Sequence, residues 1–297
     1  MKKLILAAAL PALALAGVAQ ADHHRAGEHA GHGQHGEHAQ HTVEMFMKHH
    51  GEALSSAIDH PTRAEGRARD QYRHPAETLA FFHVAPHMKV AEYAPGGGWY
   101  SRLLGHYLGG EGQLVGVYGN PVSASGDPAR QQAVRDSAAK FPAEVEGWTG
   151  LPAERFKGMT LENIPEDQLG TFDRVLMIRA LHGILRDNIA DSEIRALRRL
   201  LKDDGMLGVV QHRAKPDAAF AYTSGNRGYL READVIAAMQ VHGFELVDKS
   251  EVNANPQDTA DYPQGVWEMP PSLRTKRADL ADRGESDRMT LLFKKRP

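Results

Sequence analysis

The chain contains no cysteine. Disulfides and thiol chemistry are therefore excluded, and stability has to come from a packed core. It also lacks an excess of positive charge: 35 lysines and arginines stand against 38 acids, a formal net charge of −3. Nothing in that mild acidity points to nucleic acid. The apolar run at the start, Leu4 to Val18, is short for a membrane span, and Pro11 interrupts it. What is present is apolar material, 41% of 297 residues, enough to bury the core of one or two domains.

Met1-Lys2-Lys3 precedes that apolar run and Ala19-Gln20-Ala21 follows it. A basic start, a short apolar stretch and an A-x-A site form the pattern of a secretory signal peptide, residues 1–21. Cleavage there removes two lysines and no acid, so the net charge moves from −3 to −5. The expectation is a periplasmic or secreted protein with no stable membrane anchor after cleavage. The missing cysteines favour a bacterial periplasm.

Residues 22–42 form a histidine-rich run. After Asp22-His23-His24, a histidine recurs every third residue at His29, His32, His35, His38 and His41, spaced by Gly, Ala, Gln and Glu. Such a composition builds no core and is expected to be disordered. Imidazole suits Zn(II), Cu(II) and Ni(II), so these seven histidines are candidate metal ligands. After cleavage at Ala21, the new amine, two backbone amides and the His24 imidazole make a square-planar nitrogen set suited to Cu(II) or Ni(II).

Residues 43–85 read as N-terminal helices. Val43, Phe46, Met47, Leu54 and Ile58 fall near helical spacing. A second helix begins at Pro75, a favoured first-turn residue, and carries Leu79, Phe81 and Phe82.

Residues 86–297 read as an α/β domain organised around Val90-Ala91-Glu92-Tyr93-Ala94-Pro95-Gly96-Gly97-Gly98. This is a short buried strand, a glycine turn, and a helix starting near Trp99. Glycines let main chain approach a ligand, and the new helix points unpaired amides at the same place. The dinucleotide fingerprint does not fit, because the glycines are consecutive and the acid precedes them. Glu92 disfavours a phosphate and favours a ligand with a positive end or hydroxyls.

Further strands are expected at Leu114 to Tyr118, Phe156 to Leu161, Phe172 to Ile178, Met206 to Val210, Phe244 to Val252 and Met289 to Lys294. Helices are expected at Ala129 to Lys140, Ile189 to Leu201 and Glu232 to His242, with Gly205 as the left-handed stop after the second. Ligands of open sheets lie beyond the carboxyl ends of the strands. Arg179 and His182 follow the fourth strand and His212 follows the fifth, so these three are the candidate catalytic residues, with a histidine as general base. Asn253 to Leu273 is a loop too long to be idle, and a lid carrying Trp267 is expected.

The acid on the first strand, the glycine turn, Phe172-Asp173-Arg174-Val175, Leu201-Lys202-Asp203-Asp204-Gly205 and the two closing strands together resemble the class I S-adenosylmethionine-dependent methyltransferases. Tyr72-Arg73-His74-Pro75, the Pro95-Gly-Gly-Gly-Trp turn, Asn253-Ala-Asn-Pro and Gly284-Glu-Ser-Asp-Arg-Met resemble an exported, predicted-methyltransferase group of Gram-negative bacteria. The resemblance implies a Rossmann-like sheet of seven mostly parallel strands, the last antiparallel, with N-terminal helices covering the cofactor. It implies S-adenosylmethionine as cofactor and a small-molecule or protein methyl acceptor. Glu92, Ala94, Pro95, Gly96, Gly97 and Gly98 then become cofactor-binding residues, with Ala94 where the first motif glycine usually stands. The end of the second strand usually carries an acid for the ribose hydroxyls. Tyr118 stands there instead, with Asn120 nearby, and a phenol brings one hydrogen bond and no charge. That departure leaves a second reading open: a non-catalytic periplasmic ligand- or metal-binding protein on the same fold.

Copper tests the tail. Titrating Cu(II) into the mature protein and into its His24→Ala variant is expected to show weaker binding in the variant; equal affinities end the square-planar assignment.

Overall fold

The computed structural model describes residues 30–297, with side chains described from Val43 onward. The signal segment and His23, His24 and His29 lie outside the described residues. Seven strands form one sheet: β1 Lys89–Tyr93, β2 Gln113–Tyr118, β3 Phe156–Thr160, β4 Phe172–Ile178, β5 Leu201–His212, β6 Phe244–Ser250 and β7 Arg288–Lys295. Their order is β3-β2-β1-β4-β5-β7-β6. The first five run parallel, and β7 pairs antiparallel with both β5 and β6. This is the α/β arrangement expected from the sequence, with the strand order reversing beside β1. Crevices for ligands open at such a switch point, beyond the carboxyl ends of the strands.

Alternation along β1 decides what faces where. Val90 belongs to the core beneath the helices Ala30–Ile58, Pro75–Phe81, Trp99–Leu108 and Pro128–Thr149. Ala91 and Tyr93 belong to the opposite core, beneath the helices Ala190–Leu200 and Glu232–Val241. Glu92 shares the parity of Val90 and so turns its carboxyl towards the helix that follows the glycine turn. The residues 43–85 share the first of these cores, through Leu54, Leu79, Phe81 and Phe82.

Three sequence expectations are corrected. The first helix starts at Ala30, not at Val43, so the backbone of residues 30–42 is helical where disorder was expected. This stretch holds no proline, and it extends a helix whose far end is docked by Leu54 and Ala57. Gly205 is no helix stop. The helix ends at Leu200 and the chain extends at Leu201 straight into β5. Phe172 pairs with Leu201 but Arg174 pairs with Met206, so Lys202 to Gly205 bulge from the ladder. Lys202 Nζ is held there by Asp173 Oδ1 at 2.6 Å. Finally, the helix expected to end at Lys140 continues to Thr149 through an internal Pro142.

That long helix lies very close to the sheet. Gly116 of β2 and Gly158 of β3 are register partners. A Cβ on Gly116 would stand 2.6 Å from the Phe141 ring, and one on Gly158 would stand 1.9 Å from the Ala138 carbonyl oxygen. Two bare strand positions thus let one aromatic ring seal this flank. The segment 253–287 is no structureless loop either. Its Tyr262, Met269 and Leu280 form a small core with Tyr229, and it contains a 3₁₀ turn at Gly265–Glu268. Among the described residues, no helix is long and apolar enough to cross a membrane.

Gly158→Ala forces the helix off the sheet. A loss of about 1–3 kcal/mol is expected, read as a lower urea midpoint at unchanged slope; an unchanged midpoint contradicts the close packing.

Candidate active site

A cavity of about 500 Å3 opens at the carboxyl ends of β1 and β4, within the size range of cofactor sites. Its wall takes Glu92 to Gly97 from β1 and the turn, Arg179 and His182 from the end of β4, and His212 from β5. Arg69 and Arg73 reach it from the N-terminal helices, and Trp267 from the 3₁₀ turn. The sequence-derived residues Glu92, Ala94, Pro95, Gly96, Gly97, Arg179, His182 and His212 are therefore brought together.

The turn is built by torsion. Ala94 (φ 51°), Gly96 (φ 60°) and Gly98 (φ 71°) are left-handed, and so is Arg179 (φ 57°). Non-glycine residues in this region carry strain of order 1–3 kcal/mol, and such strain gathers at functional sites. Here the two strained residues end strands that pair side by side, β1 and β4. The amide of Ala94 donates to Val117 O at 2.8 Å and that of Arg179 to Val210 O at 2.6 Å. Main chain at Gly96 and Gly97 is bare: a Cβ on Gly97 would meet nothing within 4 Å.

Glu92 is only 3% exposed. Ser101 Oγ, on the first turn of the new helix, donates to its Oε2 at 2.6 Å. Burial pushes the carboxyl up to about 8, and the Ser101 bond opposes that rise. It is therefore largely protonated at neutral pH. Ser101 escaped sequence reasoning, although its place nine residues after Glu92, one turn into the helix, is a usable signal.

The two histidines are neutral for the same reason. Burial lowers His182, and it lowers His212 well below the usual imidazole value, with His182 and nearby arginines adding to the effect on His212. Gln211 Nε2 donates to Gly228 O at 2.7 Å, and both ends of the Gln211 amide lie 3.4 Å from His182 Nδ1. His212 Nδ1 meets Ser286 Oγ at 2.6 Å. The Trp267 ring stands edge-on to His182, with centroids 6.0 Å apart.

Three of the expected cofactor residues stand outside the cavity. Gly98 is covered by Trp148: a Cβ there would lie 2.3 Å from its ring, so this glycine serves packing. Tyr118 packs its ring edge-on to Phe141. Asn120 uses its side chain to cap the short helix Pro121–Ala124. The space between β1 and β2 ends is taken by Glu193, which accepts from Tyr93 Oη at 2.7 Å and from the Asn120 amide at 2.8 Å. Sequence reading missed this, because Glu193 arrives from a helix 100 residues beyond Tyr93. As for metal, no group of three or more His, Asp or Glu suited to an ion occurs among the described residues. The side chains of His32, His35, His38 and His41 precede the described ones.

No protein-family model and no curated protein matches the chain. Similar solved structures include a SAM dependent methyltransferase from Aquifex aeolicus, at 16% identity and a TM-score of 0.46, covering 67% of this chain and 93% of that one. Another is the 1,6-didemethyltoxoflavin-N1-methyltransferase of Burkholderia thailandensis with S-adenosylhomocysteine bound, at 14% identity and a TM-score of 0.43, covering 93% of this chain and 94% of that one.

The buried carboxyl makes a pH signature. Between about pH 4.5 and about pH 8 the folded protein keeps a proton that the unfolded chain has released, so Glu92 subtracts stability as pH rises through that window. Glutamine does not ionise. The melting temperature of the wild type relative to Glu92→Gln is expected to fall from pH 5 to pH 8; a constant difference refutes the assignment.

Proposed function

We propose that the protein transfers a methyl group from S-adenosylmethionine to a small-molecule or protein acceptor, in the periplasm, as a member of the exported group it resembles. The observation that carries this reading is Glu92 beneath Ser101, beside the bare main chain of Gly96 and Gly97, in one cavity. The donor set fits the polar end of such a cofactor: a buried acid for an amine or hydroxyls, and glycines that leave room for close approach. Bound there, the cofactor supplies a methyl group activated by a sulfonium.

The chain's own part is holding and excluding. Arg73 and Trp99 wall one side, and Trp267 closes over His182. His182, held neutral by burial, is equipped to take a proton from the acceptor; His212 stands 5.8 Å away, ring to ring. Most of the rate enhancement would come from orientation.

One observation favours the second reading, a ligand-binding protein without transfer chemistry. Tyr118 packs its ring on Phe141, the Asn120 side-chain oxygen caps a helix, and Glu193 is committed to Tyr93, so none of them is a free ribose acid. On that reading, metal handling falls to the tail, with Cu(II), Ni(II) or Zn(II) held by His23, His24 and the histidines after them.

Calorimetry separates the two. Titration of S-adenosylhomocysteine into metal-free protein at pH 7 is expected to give a micromolar Kd, at least roughly tenfold weaker in Glu92→Ala. Proton release on binding is also expected, since a positive or donating ligand beside Glu92 favours its charged form. Absence of binding selects the non-catalytic reading.

A further inference from the structure

The cavity has a second pole, which methyl transfer does not by itself require. Arg73 is 1% exposed and lines the cavity. Its Nε reaches Glu285 Oε2 at 3.1 Å, and its guanidinium lies over the Trp99 ring at 4.5 Å. Its Nη1 and Nη2 are buried without a hydrogen-bond partner. Arg179 also lines the cavity, and its guanidinium makes no hydrogen bond or ion pair with a described residue. Arg69 Nε binds Glu285 Oε1 at 2.6 Å, and Arg288 Nη1 binds Glu285 Oε2 at 3.1 Å.

Three guanidinium groups thus meet on one carboxylate, and that of Arg179 is near enough to repel Arg73. Glu92, the buried acid that lines the cavity, is largely neutral at pH 7. Burial first, and then mutual repulsion, push both Arg73 and Arg179 down to about 10, which still leaves them charged. Burying uncompensated cations is costly, and a partner anion removes that cost. A cofactor with one carboxylate satisfies one such site and leaves the excess standing.

The segments that build this pole are the runs without a role so far. Tyr72-Arg73-His74 supplies Arg73, and the Tyr72 carbonyl accepts from Arg288. Gly284-Glu-Ser-Asp-Arg supplies Glu285 and Arg288. Asn255 of the Asn-Ala-Asn-Pro run donates to the carbonyls of Arg283 and Glu285 at 2.7 and 2.6 Å, fixing that turn. We propose that the acceptor is a small oxyanion, a molecule bearing a carboxylate or phosphate, bound by the free edge of Arg73 and by Arg179. Guanidinium forks match both groups with paired hydrogen bonds, and the Trp99 face holds one fork in place. Only the word acceptor rests on the methyl-transfer reading; the oxyanion site stands on the arginines.

The test titrates inorganic phosphate and, separately, succinate into the full-length protein, with and without saturating S-adenosylhomocysteine. At least one probe is expected to bind in both conditions, and which one binds separates phosphate from carboxylate acceptors. Arg179→Gln, which breaks no ion pair, is expected to weaken binding roughly ten- to a hundredfold. Arg73→Lys should act similarly where it folds. Arg195→Gln, on an exposed helix face, should leave the affinity unchanged. Equal affinity in Arg179→Gln and wild type, no binding up to tens of millimolar, or displacement of the probe by S-adenosylhomocysteine each overturns the proposal. Probe binding without any S-adenosylhomocysteine binding overturns the methyl-transfer reading and keeps the oxyanion site.

Discussion

The carboxylate of Glu285 ties the two ends of the fold together. It is 5% exposed and receives Arg69, Arg73 and Arg288. Arg73 is 212 residues away in the chain. The N-terminal helices are thereby held over the carboxyl ends of the strands, where they complete the cavity wall. A buried ion pair is weak evidence of stability, because desolvation offsets most of the attraction. Its value here is positional: without the acid, the guanidiniums of Arg69, Arg73 and Arg288 repel one another at the cavity rim.

The cavity that results is polarised. Glu92 lies among the residues of the glycine turn, and the arginines stand on the segments packed above it. Each pole is poised by burial. The acid is held protonated and the histidines neutral, while the guanidiniums, with the highest ordinary pKa, stay charged. A site of this kind favours a ligand that brings both a donor or positive group and an anion. The strained torsions of Ala94 and Arg179 sit where the poles meet, at the ends of paired strands.

Much of the fold was legible because periodicity and turn chemistry agree along the chain. Phe172 to Ile178 and Trp99 to Leu108 stand where their patterns placed them. Gly205 misled, since a glycine after a helix signals a stop, whereas here it serves a bulge against the Phe172 carbonyl. The helix through Pro142 misled in the opposite sense, for proline usually interrupts. In the site, Glu92 and its turn were legible through local order: strand, acid, glycines, helix. Ser101 and Glu193 were not, because each acts on a residue it does not neighbour.

Local chemistry, then, determined the elements and the acid beside the turn, for these depend on residues within a few positions of one another. Tertiary structure alone decided that Tyr118 packs on Phe141 and Asn120 caps a helix, that Gly98 yields to Trp148, and that Glu193 occupies the gap between β1 and β2. It alone gathered Arg69, Arg73 and Arg288 around one acid. The reason is physical: side-chain direction near the core is set by packing against distant segments, and no local pattern encodes which distant charge will arrive.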